Sequence, residues 1–351
     1  MGQSSIFYEI NKTDFIKIRS DISLFKIPLC WRKFATCACY LCVRSISQPH
    51  YSPDKNEIMK FQFLFIISII IFSDCFSQNN TVKKKDYETI FDEGIYVEKF
   101  DSTNISENRF TANNQIYLEG NKLTYDYYYE NRDGTRYKFQ ELKGAGDLGF
   151  NEKGKAWVFV PIDCLSENTI DKLILTVKYG LKPMINNDPD YNQTVISYDY
   201  PQISGKETFS SSTGLIENEK NIWVHPPRDK FFRILEINPF PYIQAPYEIG
   251  NKWNWSLKIG SFWGDSRWKT WDESIENTYM YEIKEKKKIK LAIGEVECYV
   301  IQSTANSSIG QTHLTAYFSM DMGFVKLDYT NIDSTKTVLE LIKFDKKKNN
   351  E

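Results

Sequence analysis

The sequence predicts an all-β, mostly antiparallel protein, built as a curved sheet, a sandwich or a half-barrel with few short helices. Apolar and polar residues alternate with a period of two over much of the chain after residue 120, which is the pattern of strands with one buried face. Turn-forming residues interrupt the alternation at short intervals. The 351 residues also include 22 Tyr and 23 Phe, which are enriched in strands.

Residues 78–222 are predicted to form an N-terminal β-rich half. In the first strand Tyr125, Tyr127 and Tyr129 lie on one face, and the turn residues 131–134 then predict a hairpin. Further strands are predicted at 156–160, 173–179 and 195–200. The polar run Ser204–Leu215 is predicted as a linker or a long loop.

Residues 223–345 are predicted to form a C-terminal antiparallel half. Its strands are predicted at 279–283, 289–293, 296–301, 312–318, 324–329 and 337–344, with turns at 286–288, 321–323 and 331–334. Five of the twelve prolines fall in residues 226–246. Because each proline removes a ladder donor, this stretch is predicted as an extended crossover that joins the two halves.

An export signal lies inside the chain rather than at its start. Met59-Lys60 precedes the apolar run Phe61–Phe72, which has the length of a signal-peptide core and is shorter than the roughly 20 residues of a membrane-spanning helix. Residues 59–77 are therefore predicted as a signal peptide with cleavage between Ser77 and Gln78, so the mature chain has no integral membrane span. An alternative is lipidation of Cys75, although the charged Asp74 precedes it.

Residues 1–58 are interpreted as an upstream extension that is not native to the protein, with translation starting at Met59. Four of the seven cysteines lie there, namely Cys30, Cys37, Cys39 and Cys42. Their spacing contains one CxxC pair without a second pair or a nearby histidine, so no metal site is predicted.

The composition of residues 78–351 limits the classes of molecule that the protein is expected to bind. After the nine basic and six acidic residues of 1–77 are set aside, 35 basic and 40 acidic residues remain, a net charge that argues against nucleic acid as the main partner. Gly144–Gly149 matches G-x-G-x-x-G but leads into a predicted strand rather than a phosphate-binding helix, so no cofactor is predicted. Cys164 and Cys298 are either two separate buried thiols or a disulfide.

The segment His225-Pro226-Pro227-Arg228-Asp229 is a candidate polar site. The prolines make it rigid, and His225, Arg228 and Asp229 together could bind an anion or supply a base. A structural loop with an Arg228–Asp229 surface pair explains the same residues. No nucleophile motif accompanies them, so no catalytic residue is assigned and an enzyme is the less favoured interpretation.

Tryptophan density is the most unusual local feature. Five tryptophans fall within nineteen residues, namely Trp253, Trp255, Trp263, Trp268 and Trp271. Exposed aromatic faces could hold a sugar ring or an acyl chain in a secreted protein. The alternative is that these rings fill the core where the sheet curves.

Three motifs carry a family resemblance. They are G-x-x-W within Ala245–Trp255, G-x-x-x-C-Y-x-I at Gly294–Ile301, and Y-F-S-x-x-x-G-F-V-K within Thr315–Lys326. Together with the signal end Phe76-Ser77-Gln78, they resemble uncharacterised secreted β-proteins of Bacteroidota over about 100 residues. The resemblance implies a curved antiparallel sheet akin to the half-barrels of periplasmic lipoprotein carriers such as LolA, and it implies no activity.

These observations predict an exported protein that is periplasmic, associated with the outer membrane or extracellular. Its expected role is binding or structural, with a lipid or glycan in a concave sheet as ligand. The candidate ligand-binding residues are Trp253, Trp255, Trp263, Trp268, Trp271, His225 and Arg228. The alternatives are a hydrolase built around His225, Arg228 and Asp229, and a module that binds another envelope protein.

Overall fold

The computed structural model describes residues 88–92, 94–99, 114–141, 157–180 and 193–347. The predictions for the upstream extension 1–58, the signal peptide 59–77 and the cleavage site between Ser77 and Gln78 lie outside these residues. The four-cysteine stretch and the glycine motif Gly144–Gly149 also lie outside them.

Sixteen strands and two 3₁₀ helices make up the described part. The strands are β1 (Thr89–Asp92), β2 (Ile95–Glu98), β3 (Lys122–Glu130), β4 (Arg136–Glu141), β5 (Trp157–Pro161), β6 (Leu173–Gly180), β7 (Thr194–Pro201), β8 (Glu207–Glu217), β9 (Asn221–Val224), β10 (Tyr242–Gln244), β11 (Lys252–Gly260), β12 (Ser274–Leu291), β13 (Gly294–Ser307), β14 (Gly310–Ser319), β15 (Gly323–Thr330) and β16 (Lys336–Asp345). The helices are η1 (Lys230–Ile237) and η2 (Ser261–Trp263). The predicted all-β, antiparallel fold class is confirmed.

Twelve strands form one continuous antiparallel sheet in the order β10-β9-β8-β7-β6-β3-β16-β15-β14-β13-β12-β11. The two ends of this path lie close together. The rings of Tyr242 on β10 and Trp253 on β11 are 5.7 Å apart, and Asn251 donates a side-chain hydrogen bond of 2.9 Å to the Gln244 carbonyl. The sheet is therefore rolled almost into a closed tube. It contains strands from both predicted halves, and the domain boundary at residue 222 stays a prediction.

Alternation along the strands explains why the sheet has a buried concave face. On β12 every second residue from Ile275 to Ile283 is buried, while the residues between them are exposed or half-buried. On β3 Leu123, Tyr125 and Tyr127 are at most 4% exposed. This period-two pattern turns one complete set of side chains inward.

The helix η1 lies inside the rolled sheet, and seven of its eight residues are buried. The ring of Phe232 is 5.3 Å from that of Tyr127 on β3 and 5.8 Å from that of Tyr200 on β7. At its other end the Ile237 carbonyl accepts hydrogen bonds from Asn277 on β12 and Thr312 on β14. Both walls of the roll therefore hold the helix.

Strands β4 and β5 leave the main path and fold over one end of the roll. β4 pairs with β3 through Tyr129 and Glu130 only, and then pairs with β5. Phe139 on β4 packs 5.0 Å from Phe232, and its N–H donates to the buried Tyr127 hydroxyl at 3.0 Å. The same hydroxyl donates to the Ile170 carbonyl at 3.1 Å.

A separate hairpin, β1–β2, packs where the two ends of the sheet meet. The Gly94 carbonyl accepts a 2.8 Å hydrogen bond from Tyr242 on β10. Gly94 has φ +101°, and a Cβ there would lie 2.6 Å from the Asn254 carbonyl oxygen on β11. Glycine is therefore required by both the backbone conformation and the close approach.

Three local predictions are wrong. Lys286–Lys288 is part of β12, because the residues pair with β13 and Lys286 forms a 2.7 Å ion pair with Glu297 across the strands; the hairpin turn is at residues 292–293. The polar run Ser204–Leu215 contains most of strand β8. The proline-dense stretch contains the buried helix η1 rather than extended chain alone.

The disulfide alternative for Cys164 and Cys298 is not formed. Both are free thiols, with Cys164 exposed and Cys298 buried at 1% exposure. The burial predicted for Cys298 is confirmed, and burial raises the pKa of its thiol to about 11. The burial predicted for Cys164 is wrong, because this residue follows β5 and is exposed.

Replacing Tyr127 by phenylalanine is expected to destabilise the fold by about 1–3 kcal/mol, because it leaves the buried Phe139 N–H and Ile170 carbonyl without their partner. Urea denaturation measures this change. Tyr129→Phe is the matched control, because its half-buried hydroxyl contacts only the side chains of Asp333, at a long 3.4 Å, and Thr335, and its loss leaves no buried backbone group without a partner. Equal losses of stability in the two variants would contradict the role given to Tyr127.

Candidate functional site

The concave interior is lined by packed side chains where the structure describes it. Trp253 and Trp255 are each 5% exposed. Their rings stack on Tyr281 at 5.4 Å and Tyr279 at 4.6 Å, respectively. A cavity beside Tyr198 has a volume of about 10 Å³, which is enough for about one water molecule. Trp253 and Trp255 therefore belong to the core, and the expectation that they present a face to a ligand at the surface is wrong.

His225 is also buried, at 5% exposure. Its Nδ1 lies 2.8 Å from the Pro226 carbonyl oxygen, so Nδ1 carries a proton and donates it. Its Nε2 faces Glu236 Oε1 of helix η1 at 3.5 Å. His225 is therefore one half of a buried acid–imidazole pair rather than a residue in an open cleft.

This geometry requires that His225 Nε2 and the Glu236 carboxyl share one proton. With Nδ1 protonated, the Nε2 of a neutral ring is an acceptor, and a carboxylate facing it would be repelled. Burial lowers the pKa of His225 well below 6.5, and the charge of Arg228 lowers it further. Burial also raises the pKa of Glu236 to about 7, against the opposing charges of Arg228 and Arg233. Below about pH 7 the proton therefore resides on Glu236, and the ring is neutral.

Asp229 does not pair with Arg228 as one interpretation of the sequence expected. Its carboxylate accepts hydrogen bonds from the Tyr200 hydroxyl at 3.5 Å and from Ser211. Burial raises the pKa of Asp229. The carboxylate is thus turned toward β7 and β8, and the half-buried Arg228 acts on it through its charge alone, which lowers the pKa of Asp229 against the effect of burial.

The other three tryptophans lie at the end of the roll where β11 connects to β12. Trp263, Trp268 and Trp271 are half-buried and pack against a small apolar cluster that includes Ile259. The Trp271 indole donates a 3.3 Å hydrogen bond to the Ile259 carbonyl. Phe262, in helix η2, is 40% exposed. This connection therefore presents aromatic side chains that are anchored but still reach the surface.

Three arginine side chains form cation–π contacts with these aromatic rings. The guanidinium carbon of Arg233 lies 4.5 Å from the ring centre of Phe262 and 5.0 Å from that of Trp263. Arg228 lies 5.7 Å from Trp263. Arg267 lies 5.1 Å from the ring centre of Trp268. Such cation–π contacts hold the rings in fixed orientations.

The aromatic surface continues onto η1 and β5. Arg267 lies 4.2 Å from the ring centre of Phe231, and Phe231 lies 4.2 Å from Phe159, which is 37% exposed. Phe159 in turn stacks on Tyr129 at 4.6 Å. We call the set formed by these contacts the aromatic–arginine rim, and its members are Phe159, Phe231, Phe262, Trp263, Trp268, Arg228, Arg233 and Arg267.

The rim contains three of the residues singled out in the sequence, Arg228, Trp263 and Trp268. Its phenylalanines and the other two arginines lie on three separate segments, and no local sequence pattern joins them. Trp271 packs against the apolar cluster next to the rim. His225 is buried in the core and is not a member of the rim. The signal that could have found Phe262 is its position next to Trp263 in the tryptophan-rich stretch.

The described residues also include one surface pocket, in which an ion pair is already formed. A surface pocket of about 170 Å³ lies between Lys286, Glu297, Tyr299 and Met320, and Lys286 is already paired with Glu297. The described segments contain no group of three or more His, Cys, Asp or Glu side chains placed to hold a metal ion. Within those segments, no helix has the length and apolar character to cross a membrane.

Comparison with known proteins finds weak structural similarity only. No protein-family model matches the chain, and no curated protein matches it. A provisionally assigned exported protein with a YmcC-like fold from Bacteroides fragilis has 13% identity and a TM-score of 0.36, covering 67% of this chain and 98% of that one. A provisionally assigned lipoprotein from Parabacteroides distasonis has 10% identity and a TM-score of 0.36, covering 66% of this chain and 97% of that one.

A third solved structure, the hypothetical lipoprotein YmcC from Escherichia coli, has 9% identity and a TM-score of 0.27, covering 64% of this chain and 85% of that one. The identities and TM-scores are too low for the similarity to carry an argument about activity or ligand.

The buried Glu236 is expected to make stability depend on pH. Its pKa is about 7 in the folded protein and 4.5 ordinarily, so the folded state holds the proton more tightly than the unfolded chain. The stability that this contributes is fully present below pH 4.5 and is lost as the pH rises to about 7, by about 3 kcal/mol. Urea denaturation at pH 4.5, 5.5, 6.5 and 7.5 should show this loss in the wild type relative to Glu236→Gln.

His225 contributes the opposite trend, because its contribution is lost as the pH falls below 6.5, and it is present in both proteins. Glu276→Gln, at an exposed position on β12, is the control. Its stability should follow the wild type at every pH. A constant difference between wild type and Glu236→Gln from pH 4.5 to 7.5 would exclude the buried protonated carboxyl.

Proposed function

We propose that the mature chain is an exported cell-envelope protein that binds a saccharide at the aromatic–arginine rim. The observation that supports this most directly is that Phe262 and Phe159, at 40% and 37% exposure, and the half-buried Trp263 and Trp268 reach the surface at one end of the roll, around the buried Phe231. Aromatic side chains bury apolar ring faces at low entropic cost, and the apolar faces of sugar rings pack against them. The rim is carried by packed strands and helices, which suits a preorganised binding surface.

The packed interior favours a saccharide at the rim over a lipid in the concave sheet. Ligand pockets for drug-sized molecules occupy about 300–1,000 Å³, whereas the cavity beside Tyr198 has about 10 Å³. Helix η1 and its aromatic neighbours fill the space that an acyl chain would need. A sugar chain lying across exposed rings requires no internal cavity.

The hydrolase alternative receives little support from the position of its proposed base. His225 is buried and its Nδ1 is used by the Pro226 carbonyl. Its remaining nitrogen faces Glu236 rather than solvent. A general base must reach the proton that it removes, and substrate has no described path to this nitrogen.

Replacing Phe262 by alanine is expected to weaken saccharide binding about tenfold, since it removes a ring that is 40% exposed and keeps the backbone carbonyl that accepts from Arg233. Binding is measured by tryptophan fluorescence and calorimetry with oligogalacturonides, their methyl esters, cello-oligosaccharides and chitin oligosaccharides of matched length. Met280→Ala removes an exposed apolar side chain, 49% exposed, from the wall of β12 and should bind as the wild type does.

Two results would reject the saccharide proposal. One is that no saccharide of the panel changes the fluorescence of the folded wild-type protein. The other is equal affinity in Phe262→Ala and Met280→Ala. Retention of an envelope protein by the wild type and its loss in Phe262→Ala, without any saccharide response, would favour the protein-binding module instead.

Export is tested by intact mass of the protein purified from its native host. We expect a chain that begins at Gln78, because the residues before it form the predicted signal peptide. A mass that retains residues 1–58 would contradict both the export signal and the start of translation at Met59. A lipid adduct on Cys75 would show that the lipidation alternative holds.

A further inference from the structure

The three arginines of the rim differ in what neutralises them. Arg267 forms a two-pronged ion pair with Asp265, at 2.9 Å from Nε to Oδ1 and 2.7 Å between Arg267 Nη2 and Oδ2. Asp265 is itself 5% exposed, so this pair is a fixed part of the structure. Arg267 therefore positions the rings of Phe231 and Trp268 and has little charge left for a ligand.

Arg233 is also committed to the protein. It is 6% exposed, and its guanidinium donates a short hydrogen bond to the Phe262 carbonyl. The carboxyl groups of Asp229, Glu236 and Asp265 all act on it electrostatically. Its function in the rim is to hold helix η2 against helix η1.

Arg228 differs from both. It is half-buried at the surface, and its described contact is the face of Trp263 at 5.7 Å. Among the described residues no carboxylate lies within ion-pair distance of it, because Asp229 is bonded to Tyr200 and Ser211 instead. The charge of Arg228 acts on Asp229, His225 and Glu236, but none of these three side chains forms an ion pair with it.

The backbone also fixes the position of Arg228. Pro226 and Pro227 immediately precede it, and helix η1 begins two residues later. Proline locks φ near −65°, so the chain enters the rim in one conformation. A guanidinium carried on such a segment loses less conformational freedom on binding than one on a mobile loop.

Resting on the saccharide-binding function proposed above, we infer that Arg228 and Trp263 form a subsite for an anionic group on the saccharide. The ring of Trp263 packs against the sugar, while the guanidinium of Arg228 binds its carboxylate or sulfate. Arginine presents a planar fork that matches both groups. The ligand class is therefore an acidic saccharide rather than a neutral one.

The test compares an acidic ligand with its neutral form. Oligogalacturonide and its fully methyl-esterified form have the same sugar backbone and differ in the carboxylate charge. We expect the wild type to bind the acid about tenfold more tightly than the ester in 50 mM salt. In Arg228→Gln that ratio should fall to about one, with the affinity for the ester changed less than about threefold.

Arg132→Gln is the matched control. Arg132 is an exposed arginine in the β3–β4 turn, where its Nε donates to the Asp333 carbonyl at 2.7 Å, and its loss should leave the acid-to-ester ratio unchanged. Arg228→Lys keeps the charge without the fork and should retain part of the preference. A sulfated oligosaccharide of matched length distinguishes a sulfate-binding subsite from a carboxylate-binding one.

The outcomes separate this inference from the proposed function. Equal binding of acid and ester by the wild type, both lost in Phe262→Ala, would overturn the anionic subsite and leave saccharide binding standing. An acid preference that persists in Arg228→Gln would also overturn it. Failure of every saccharide to bind would reject the proposed function itself. Circular dichroism of Arg228→Gln checks that the variant is folded.

Discussion

Helix η1 fills the space that a rolled sheet of twelve strands would otherwise leave open. Side chains alone fill the interior of a roll of about eight strands, and wider rolls need another element or remain hollow. Here the segment from Lys230 to Ile237 enters the roll and contacts strands on both walls through Phe232 and Ile237. The packed core, the burial of Trp253 and Trp255, and the position of the rim all depend on this insertion.

Inserting a short helix brings polar groups into the core, and the structure provides partners for them. The Ile237 carbonyl at the helix end is satisfied by Asn277 and Thr312. Glu236 meets His225, and Arg233 reaches out to the Phe262 carbonyl. An isolated buried charge is costly. The neutral form of Glu236 and the outward contact of Arg233 therefore lower the free-energy cost of inserting the helix. That outward contact is also what builds the rim, because it joins η1 to η2.

Sequence patterns predicted much of the sheet but only part of the site. The alternation of Tyr125, Tyr127 and Tyr129 predicted β3 because one face of that strand is buried and the other faces solvent. The same reasoning failed at Lys286–Lys288, where a run of charge continues as a strand through cross-strand pairing with Glu297. The alternation along β11 placed Trp253 and Trp255 on the same face of the strand. Whether that face was exposed or packed depended on η1. Phe159 and Phe231 had no local pattern that would associate them with Trp268.

Local alternation and turn chemistry were enough to predict the antiparallel all-β class, most strand positions and the burial of Cys298. The prediction of an export signal at residues 59–77 likewise needs no fold. Which tryptophans reach the surface, which partners Asp229 binds and which carboxyl faces His225 could be read only from the folded chain. Those outcomes depend on contacts between residues far apart in the chain, and the physical reason is the filling of the roll. Which side chains are left at the rim depends on what the inserted helix has already covered.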